Sequence, residues 1–156
     1  MKDLLQKIYT FGNDHFGSKG LGRLYPIKVI YDFVTKRIKT DFAVVEGHKM
    51  YLDDKDTLSL SINRGFEEFE TELVKTWIKE GDTVIDIGAN IGYYTLIFAK
   101  LVGKKGRVYA FEPDPTNFKI LTKNVKENSY KNITLVNKAV MDKEDTVDFF
   151  LSEENY

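Results

Sequence analysis

The sequence of 156 residues predicts an α/β fold, in which a parallel sheet follows an N-terminal helical and β-hairpin extension. The first observation behind this prediction is that short apolar runs alternate with helical segments from residue 83 onward, as crossover connections between parallel strands require. The second is that the spacing of apolar residues before residue 83 changes along the chain, from the period of a helix to that of a strand and then back to that of a helix. We therefore divide the chain into an extension (1–40), a lead-in unit (41–80) and a sheet domain (81–156).

The composition excludes several classes of protein. Hydrophobic residues make up 42% of the chain and charged residues 30%, which is typical of a globular protein rather than a disordered one. The absence of cysteine excludes disulfides and thiolate metal sites, and the two histidines, His15 and His48, lie too far apart to favour a metal site. No apolar run reaches the roughly 18–20 residues of a membrane span. We therefore expect a cytoplasmic protein with no bound metal.

Residues 1–40 form the most basic part of the chain, with eight basic and three acidic side chains. After Pro26, apolar residues recur at helical spacing through Ile38 while lysine and arginine occupy other positions, which predicts a basic amphipathic helix. A shorter amphipathic helix is expected over residues 4–11. The favoured interpretation is a helix that docks on the following domain or on a second copy. The alternative is a helix that contacts nucleic acid or, weakly, a membrane surface.

Residues 41–80 carry the opposite charge, with ten acidic and five basic side chains. The alternating segment 42–52 predicts a β-hairpin, and His48 is expected to be a solvated residue of its turn rather than a catalytic group. The segment SLSIN (59–63) continues the strand pattern. A helix is then predicted, with glutamates in its first turns, where the helix dipole favours negative charge. Its apolar residues recur at helical spacing: Phe66, Phe69, Leu73 and Trp77.

After Gly81, strands and helices are predicted to alternate. The first strand, TVIDIG, is a short apolar run, which is typical of a parallel strand covered on both faces. Strands are predicted at residues 83–88, 107–113, 133–140 and, in a more exposed position, 146–152. Helices are predicted at residues 92–102 and 117–128.

The segment DIGANIG (86–92) connects the first of these strands to its helix and is the first candidate site. Glycines at such a turn let a ligand approach the backbone, and exposed amides at the start of a helix favour negative groups. Glu112 lies at the end of the next strand, where a carboxylate can accept hydrogen bonds from the two hydroxyls of a ribose. The two features together predict a nucleoside cofactor. The alternative is an ordinary strand–turn–helix unit with an unrelated surface glutamate.

The same loop argues against the common dinucleotides. The pattern G-x-G-x-x-G would require glycines where this chain has Asn90 and Tyr93, so only Gly88 matches. Glu112 would repel the 2′-phosphate of NADP. No G-K-[ST] sequence is present, so no P-loop is predicted.

Three sequence blocks, DIGANIGYYT, AFEPDP and NKAV, resemble recurring blocks of the FkbM family of methyltransferases that depend on S-adenosylmethionine (SAM). The resemblance covers roughly residues 41–150. It implies a Rossmann-like class I methyltransferase sheet, of which this chain holds the first half, and SAM as cofactor. It also implies methyl transfer to a hydroxyl of a sugar, glycolipid or other small molecule, without nucleic acid as a partner.

The resemblance further implies roles for individual residues. The loop would line the amino-acid end of SAM, Glu112 would hold the ribose, and Pro113 would shape the turn after it. The backbone around Ala139, at the end of the third strand, would meet the adenine. Glu68 would close over the cofactor, or would only supply negative charge at its helix start. The loop residues concerned are Asp86, Gly88, Ala89, Asn90 and Gly92. No general base is indicated.

The chain departs from the family in length. Members continue past this point, and their next block, of the type I-D-V-E-G, is absent here. We therefore expect an N-terminal portion of a longer enzyme, with an incomplete SAM-binding domain over residues 81–156. The alternative is a non-catalytic module that assembles through the open edge of its apolar central strand. The acidic stretch 41–80 and the lack of a basic patch with interleaved aromatics argue against nucleic acid.

Overall fold

The computed structural model describes residues 40–54, 56–60, 66–146 and 148. The helices predicted before residue 40 lie outside these residues, as does nearly all of the strand predicted at 146–152. None of the described helices is long and apolar enough to cross a membrane. The described elements are β1 (Phe42–Val45), β2 (His48–Tyr51), α1 (Glu68–Trp77), β3 (Thr83–Ile87), α2 (Tyr93–Val102), β4 (Arg107–Phe111), α3 (Pro115–Glu127) and β5 (Ile133–Val136).

The last three of these strands form one parallel sheet in the order β3-β4-β5. In register, Asp86 lies beside Ala110, and Ile87 lies beside Phe111. Helices α2 and α3 supply the two crossover connections. The predicted α/β fold is therefore confirmed, as a partial Rossmann-like sheet.

The sheet is covered on one face. Side chains on that face and on α2 and α3 form the core, in which Leu96, Ala110 and Leu121 are fully buried. On the opposite face, Ile85 and Ile87 are 62% and 64% exposed. The prediction that β3 is covered on both faces is therefore wrong for the described part of the chain. An apolar run shows that a strand suits burial, but covering its second face requires another layer of structure.

The predicted hairpin is confirmed, as an antiparallel pair of β1 and β2. Its turn residues Glu46 and Gly47 both have positive φ, the geometry that matches the twist of paired strands. His48, however, is not a solvated turn residue. It pairs with Val45, is 4% exposed, and its Nε2 lies 2.7 Å from the hydroxyl of Tyr130. The turn is one residue shorter than expected, so His48 enters the strand and its ring meets the segment after α3.

Helix α1 is present as predicted. Phe66, just before it, packs against the core, but the rest of the predicted apolar stripe does not. Phe69 and Trp77 are 75% and 74% exposed, whereas the buried residue of the helix is Thr71. Helical spacing predicts one apolar face, and it does not determine what that face packs against. In the segment SLSIN, the described residue Leu60 has helical rather than extended backbone, so the strand predicted there is wrong at that position.

Strand β4 ends at Phe111 rather than at residue 113. Two further element boundaries differ from the prediction because side chains take over backbone hydrogen bonds. Strand β5 ends at Val136 rather than at residue 140. Beyond the strand, the side-chain amide of Asn137 donates to the backbone carbonyls of Glu112 and Pro113 at 2.7 and 3.1 Å. Helix α3 begins two residues early because the Asp114 carboxylate accepts from the backbone N–H groups of residues 116 and 117.

Candidate functional site

The loop of residues 88–92 leads from β3 into α2 and has an unusual backbone. Gly88, Asn90 and Gly92 all have positive φ, at 77°, 50° and 98°. Glycine adopts this region without a steric penalty, and asparagine tolerates it better than most residues. A Cβ at Gly92 would lie 2.7 Å from Cδ1 of Leu121, so glycine there also permits close approach to α3. A Cβ at Gly88 would meet no atom within 4 Å, so the loop is open at that point.

The loop is held by backbone hydrogen bonds to the end of β4. The N–H groups of Gly88 and Ala89 both donate to the carbonyl of Phe111 at 2.9 Å. The N–H of Asn90 donates to Oε2 of Glu112 at 2.7 Å, and the N–H of Gly92 donates to the carbonyl of Ala89. These four amides have acceptors within the protein, so the expectation that free amides here attract a negative group is wrong for them.

Glu112 follows β4 and is 5% exposed. Its Oε2 accepts from Asn90, and its Oε1 accepts from the N–H of Asp114 at 2.9 Å. The carboxylate is therefore fixed between the loop and the start of α3. Because each carboxylate oxygen has two lone pairs, both oxygens retain an acceptor position for a hydroxyl group.

Asp86 lies near the end of β3 on the covered face and is 8% exposed. The hydroxyl of Thr95 donates a short hydrogen bond to its Oδ2. Burial raises the pKa of the Asp86 carboxyl, the Thr95 hydrogen bond lowers it, and the nearby negative charge of Glu112 raises it further. Asp86 and Glu112 therefore lie near enough for their charges to interact. That they form one binding site, as their positions on neighbouring strands suggest, stays a prediction.

The charge of this site is unbalanced. No lysine or arginine in the described part of the chain forms an ion pair with Asp86 or with Glu112. A buried carboxylate without a cationic partner is costly in free energy. A ligand that brings positive charge to this site would recover part of that cost, whereas a phosphate would increase it.

Residues 44–151 match the family model of the TRM5/TYW2 methyltransferase domain. The chain belongs to this family. Its fold and cofactor follow from membership: it is a class I methyltransferase domain, and the predicted cofactor, SAM, is confirmed. The finer assignment to the FkbM family is not supported, because the family model that matches is that of the TRM5/TYW2 methyltransferase domain.

Individual relatives agree at the level of the methyltransferase class. A protein-L-isoaspartate O-methyltransferase from Methanosarcina mazei is 39% identical over 59 residues, which are 38% of this chain and 24% of that protein. A 23S rRNA (uracil(1939)-C(5))-methyltransferase from Psychrobacter arcticus is 31% identical over 110 residues, which are 70% of this chain and 18% of that protein. The chain therefore spans less than a third of the length of these curated relatives.

A solved structure shows the same fold. The transferase from Pyrococcus horikoshii superposes with a TM-score of 0.55 at 19% identity, over 89% of this chain and 64% of that one. At this identity, the match supports the partial Rossmann-like sheet and nothing finer.

The predicted partners are corrected by these comparisons. A small-molecule, saccharide or glycolipid acceptor without nucleic acid was expected, but the relatives are named as methyltransferases of protein and of rRNA. The prediction was wrong because it was taken from the resemblance to the FkbM family, whereas the matching family model is that of the TRM5/TYW2 methyltransferase domain. The net negative charge of residues 41–80 is a property of the lead-in unit alone. It does not exclude binding of nucleic acid by another part of the protein.

The TRM5/TYW2 domain brings some predicted site residues together and leaves two apart. Pro113 lies half-buried directly after Glu112, at the entrance to α3. Glu68 is exposed in the first turn of α1, and Ala139 is exposed three residues beyond the end of β5. Neither forms a described hydrogen bond with the loop or with Glu112. The expected position of Ala139 at a strand end is wrong, because Asn137 turns the chain away from the sheet.

Three residues of this site escaped the sequence analysis. Thr95 holds Asp86, Asn137 holds the carbonyl of Glu112, and Asn124 donates to the carbonyl of Ile91 at 2.8 Å. Thr95 is the last residue of the block DIGANIGYYT, and Asn137 is the first residue of the block NKAV. Their membership of these blocks was the signal that could have identified both. Asn124 lies beside Val125 on the buried side of α3, where a polar residue among apolar ones was the available signal.

Proposed function

We propose that this chain supplies the SAM-binding half of a methyltransferase that modifies RNA. The observation that carries the cofactor part is the pair of buried carboxylates, Asp86 and Glu112, that share one site without a described cationic partner. SAM brings two positive groups, its sulfonium and its ammonium, and only one negative carboxylate. Its charge therefore complements this site, whereas the charge of NADP does not.

The proposed roles of the residues follow from their positions. Asp86 accepts hydrogen bonds from the ammonium group of the methionine part, and Glu112 accepts from the ribose hydroxyls through its remaining lone pairs. Pro113 keeps the chain turning away from that carboxylate. The open loop leaves room for the ligand where Gly88 has no neighbour within 4 Å. The other loop residues that line the amino-acid end are Ala89, Asn90 and Gly92. Roles for Glu68 and Ala139 stay predictions.

The reaction depends mainly on alignment. SAM supplies a methyl group bound to a positively charged sulfur. The protein contributes by holding the donor rigidly, and alignment of this kind supplies on the order of 7–11 kcal/mol of the barrier reduction in favourable cases. The hydrogen bonds that fix Glu112 and the loop to each other, described above, support this role.

RNA is the favoured acceptor because of the extent of the match. The relative named as an rRNA methyltransferase aligns with 70% of this chain, whereas the isoaspartate methyltransferase aligns with 38%. The family model that covers residues 44–151 carries the same implication. The cofactor loop alone would not distinguish the two acceptor classes.

Titration calorimetry with SAM tests the cofactor assignment. We expect the wild-type chain to bind SAM and Glu112→Gln to bind roughly 10–100-fold more weakly, because the variant loses a charge-assisted acceptor. Glu127→Ala is the matched control, since this exposed carboxylate lies at the opposite end of α3 and forms only a surface ion pair with Lys49. Unchanged affinity in Glu112→Gln contradicts the ribose assignment.

Transfer of a radiolabelled methyl group tests the acceptor. The full methyltransferase that contains this SAM-binding half is incubated with labelled SAM and a mixture of unmodified RNA transcripts and denatured protein, and the two fractions are counted separately. We expect label in RNA, lost on ribonuclease treatment and reduced in Glu112→Gln. Label confined to the protein fraction contradicts the RNA assignment.

A further inference from the structure

Asn124 on α3 connects the hairpin to the loop of residues 88–92. Its side chain is fully buried. Oδ1 accepts from the N–H of Tyr51 at 2.6 Å, and Nδ2 donates to the carbonyl of the same residue at 3.0 Å. The second hydrogen of Nδ2 goes to the carbonyl of Ile91 at 2.8 Å, within the loop. Both donors of this amide are thus used, and one side chain holds two segments that are distant in sequence.

Asn128, one helical turn later, provides an internal comparison. Its Oδ1 accepts from the N–H of Lys49 at 3.1 Å, and its Nδ2 donates to the carbonyl of Lys49 at 2.8 Å. The other donor goes to the carbonyl of Asn124, in its own helix. The two asparagines therefore hold β2 in the same way, as a neighbouring strand would. They differ in that Asn124 also reaches the loop.

A second contact joins α3 to the same loop. Leu121 lies one turn before Asn124 and so on the same side of the helix. Its Cδ1 occupies the space that a Cβ at Gly92 would need, at 2.7 Å. The C-terminal end of the loop therefore rests on α3 at two successive points, a packing contact and a hydrogen bond.

We propose that Asn124 is a positioning residue that keeps the loop of residues 88–92 in the shape that binds SAM and couples this loop to the hairpin. The proposal rests on the proposed function, because it requires that the loop holds SAM. The loop includes the left-handed residue Asn90, and such a backbone persists only where surrounding contacts determine it. Asn124 acts through Ile91 and not by touching the cofactor.

The test compares Asn124→Ala with Asn128→Ala in the full 156-residue chain. Both variants lose two hydrogen bonds to β2, so both are expected to lose thermal stability. We expect Asn124→Ala to bind SAM roughly tenfold more weakly, and Asn128→Ala to stay within about twofold of the wild type, by titration calorimetry. Equal affinity of the two variants overturns the inference, because stability alone would then account for the result.

Hydrogen exchange in the wild-type chain provides a test that needs no variant, should Asn124→Ala not fold. Coupling between two sites is reciprocal, so SAM bound at the loop must stabilise the contacts of Asn124. We expect added SAM to slow exchange of the Tyr51 amide several-fold more than that of the Lys49 amide. Equal slowing of both amides overturns the inference.

The two proposals fail in distinguishable ways. Lack of SAM binding by the wild-type chain contradicts the proposed function and removes this inference with it. SAM binding by the wild type, with identical behaviour of the Asn124 and Asn128 contacts, contradicts the inference alone.

Discussion

The two faces of the β3-β4-β5 sheet differ in what covers them. On one face, α2 and α3 bury side chains such as Leu96 and Val108 completely. On the other face, Ile85 and Ile87 of β3 are more than half exposed. Asp86, which alternates with these two isoleucines along β3, lies on the covered face. The candidate site is thus built on the side of the sheet where the described structure is complete, and the apolar open face contributes nothing to it.

The largest expected effect is a difference in stability between the two faces. Leu96→Ala should lower the free energy of unfolding by about 2–5 kcal/mol, because it leaves a cavity in the core. Ile85→Ala on the open face should change it by less than about 1 kcal/mol, since its side chain is already 62% exposed. Urea denaturation of both variants measures the difference. Similar losses would show that the open face is covered by other parts of the protein.

The next expected effect concerns the charge on the covered face. Asp86→Asn should stabilise the unliganded chain at pH 7, while weakening SAM binding roughly tenfold through loss of a charged acceptor. Because folding raises the pKa of Asp86 above 3.8, this group favours the folded state at low pH. That contribution is lost as the pH rises through the raised pKa.

Urea denaturation at pH 4.5 and pH 7 checks this prediction. The stability gain of Asp86→Asn over the wild type should be larger at the higher pH. Thr95→Val, which removes the hydrogen bond to the same carboxylate, is the matched variant and should lower stability instead. A pH-independent difference between Asp86→Asn and wild type would contradict an ionised, buried Asp86.

The smallest expected effect lies in the hairpin that lines the covered side. Tyr130→Phe removes the hydrogen bond to His48 and should lower the free energy of unfolding by about 0.5–1.5 kcal/mol, measured by urea denaturation.

The pH dependence of stability tests His48 itself. Burial, together with the positive charge of Lys100, lowers the pKa of His48 below 6.5. The unfolded chain therefore takes up a proton first, and stability should fall as the pH drops below about 6.5. His48→Gln should remove this part of the pH dependence, and denaturation between pH 5 and pH 8 measures it.

Local patterns predicted the elements well where one segment determines its own structure. The hairpin turn at Glu46 and Gly47, the glycine-rich loop after β3 and the carboxylate after β4 were all expected from residue type and spacing. Parallel strands end at the same edge of a sheet, which is why the sequence predicts that Asp86 and Glu112 lie close together. The loop amides could not be assigned in this way, because three of the four donate to Phe111 and Glu112, which are distant in sequence.

The acceptor and the family were predicted less well, and for a related reason. The motifs DIGANIGYYT and AFEPDP predicted the methyltransferase class correctly. Relatives of this class are named for different acceptors, so the motifs did not determine the partner. The exposure of Phe69 and Trp77 on α1 could not be predicted from the sequence either, because helical spacing does not determine what a helix face packs against.

By itself, the amino-acid sequence determined the alternation of strands and helices, the carboxylates at two strand ends and the nucleoside chemistry that they suit. These features depend on short-range periodicity and on the shared direction of parallel strands. Tertiary structure alone decided which face of β3 is buried, that His48 lies inside, and that Asn124 holds both the hairpin and the loop of residues 88–92. Such contacts join residues far apart in the chain, and their energies depend on packing that no local pattern encodes.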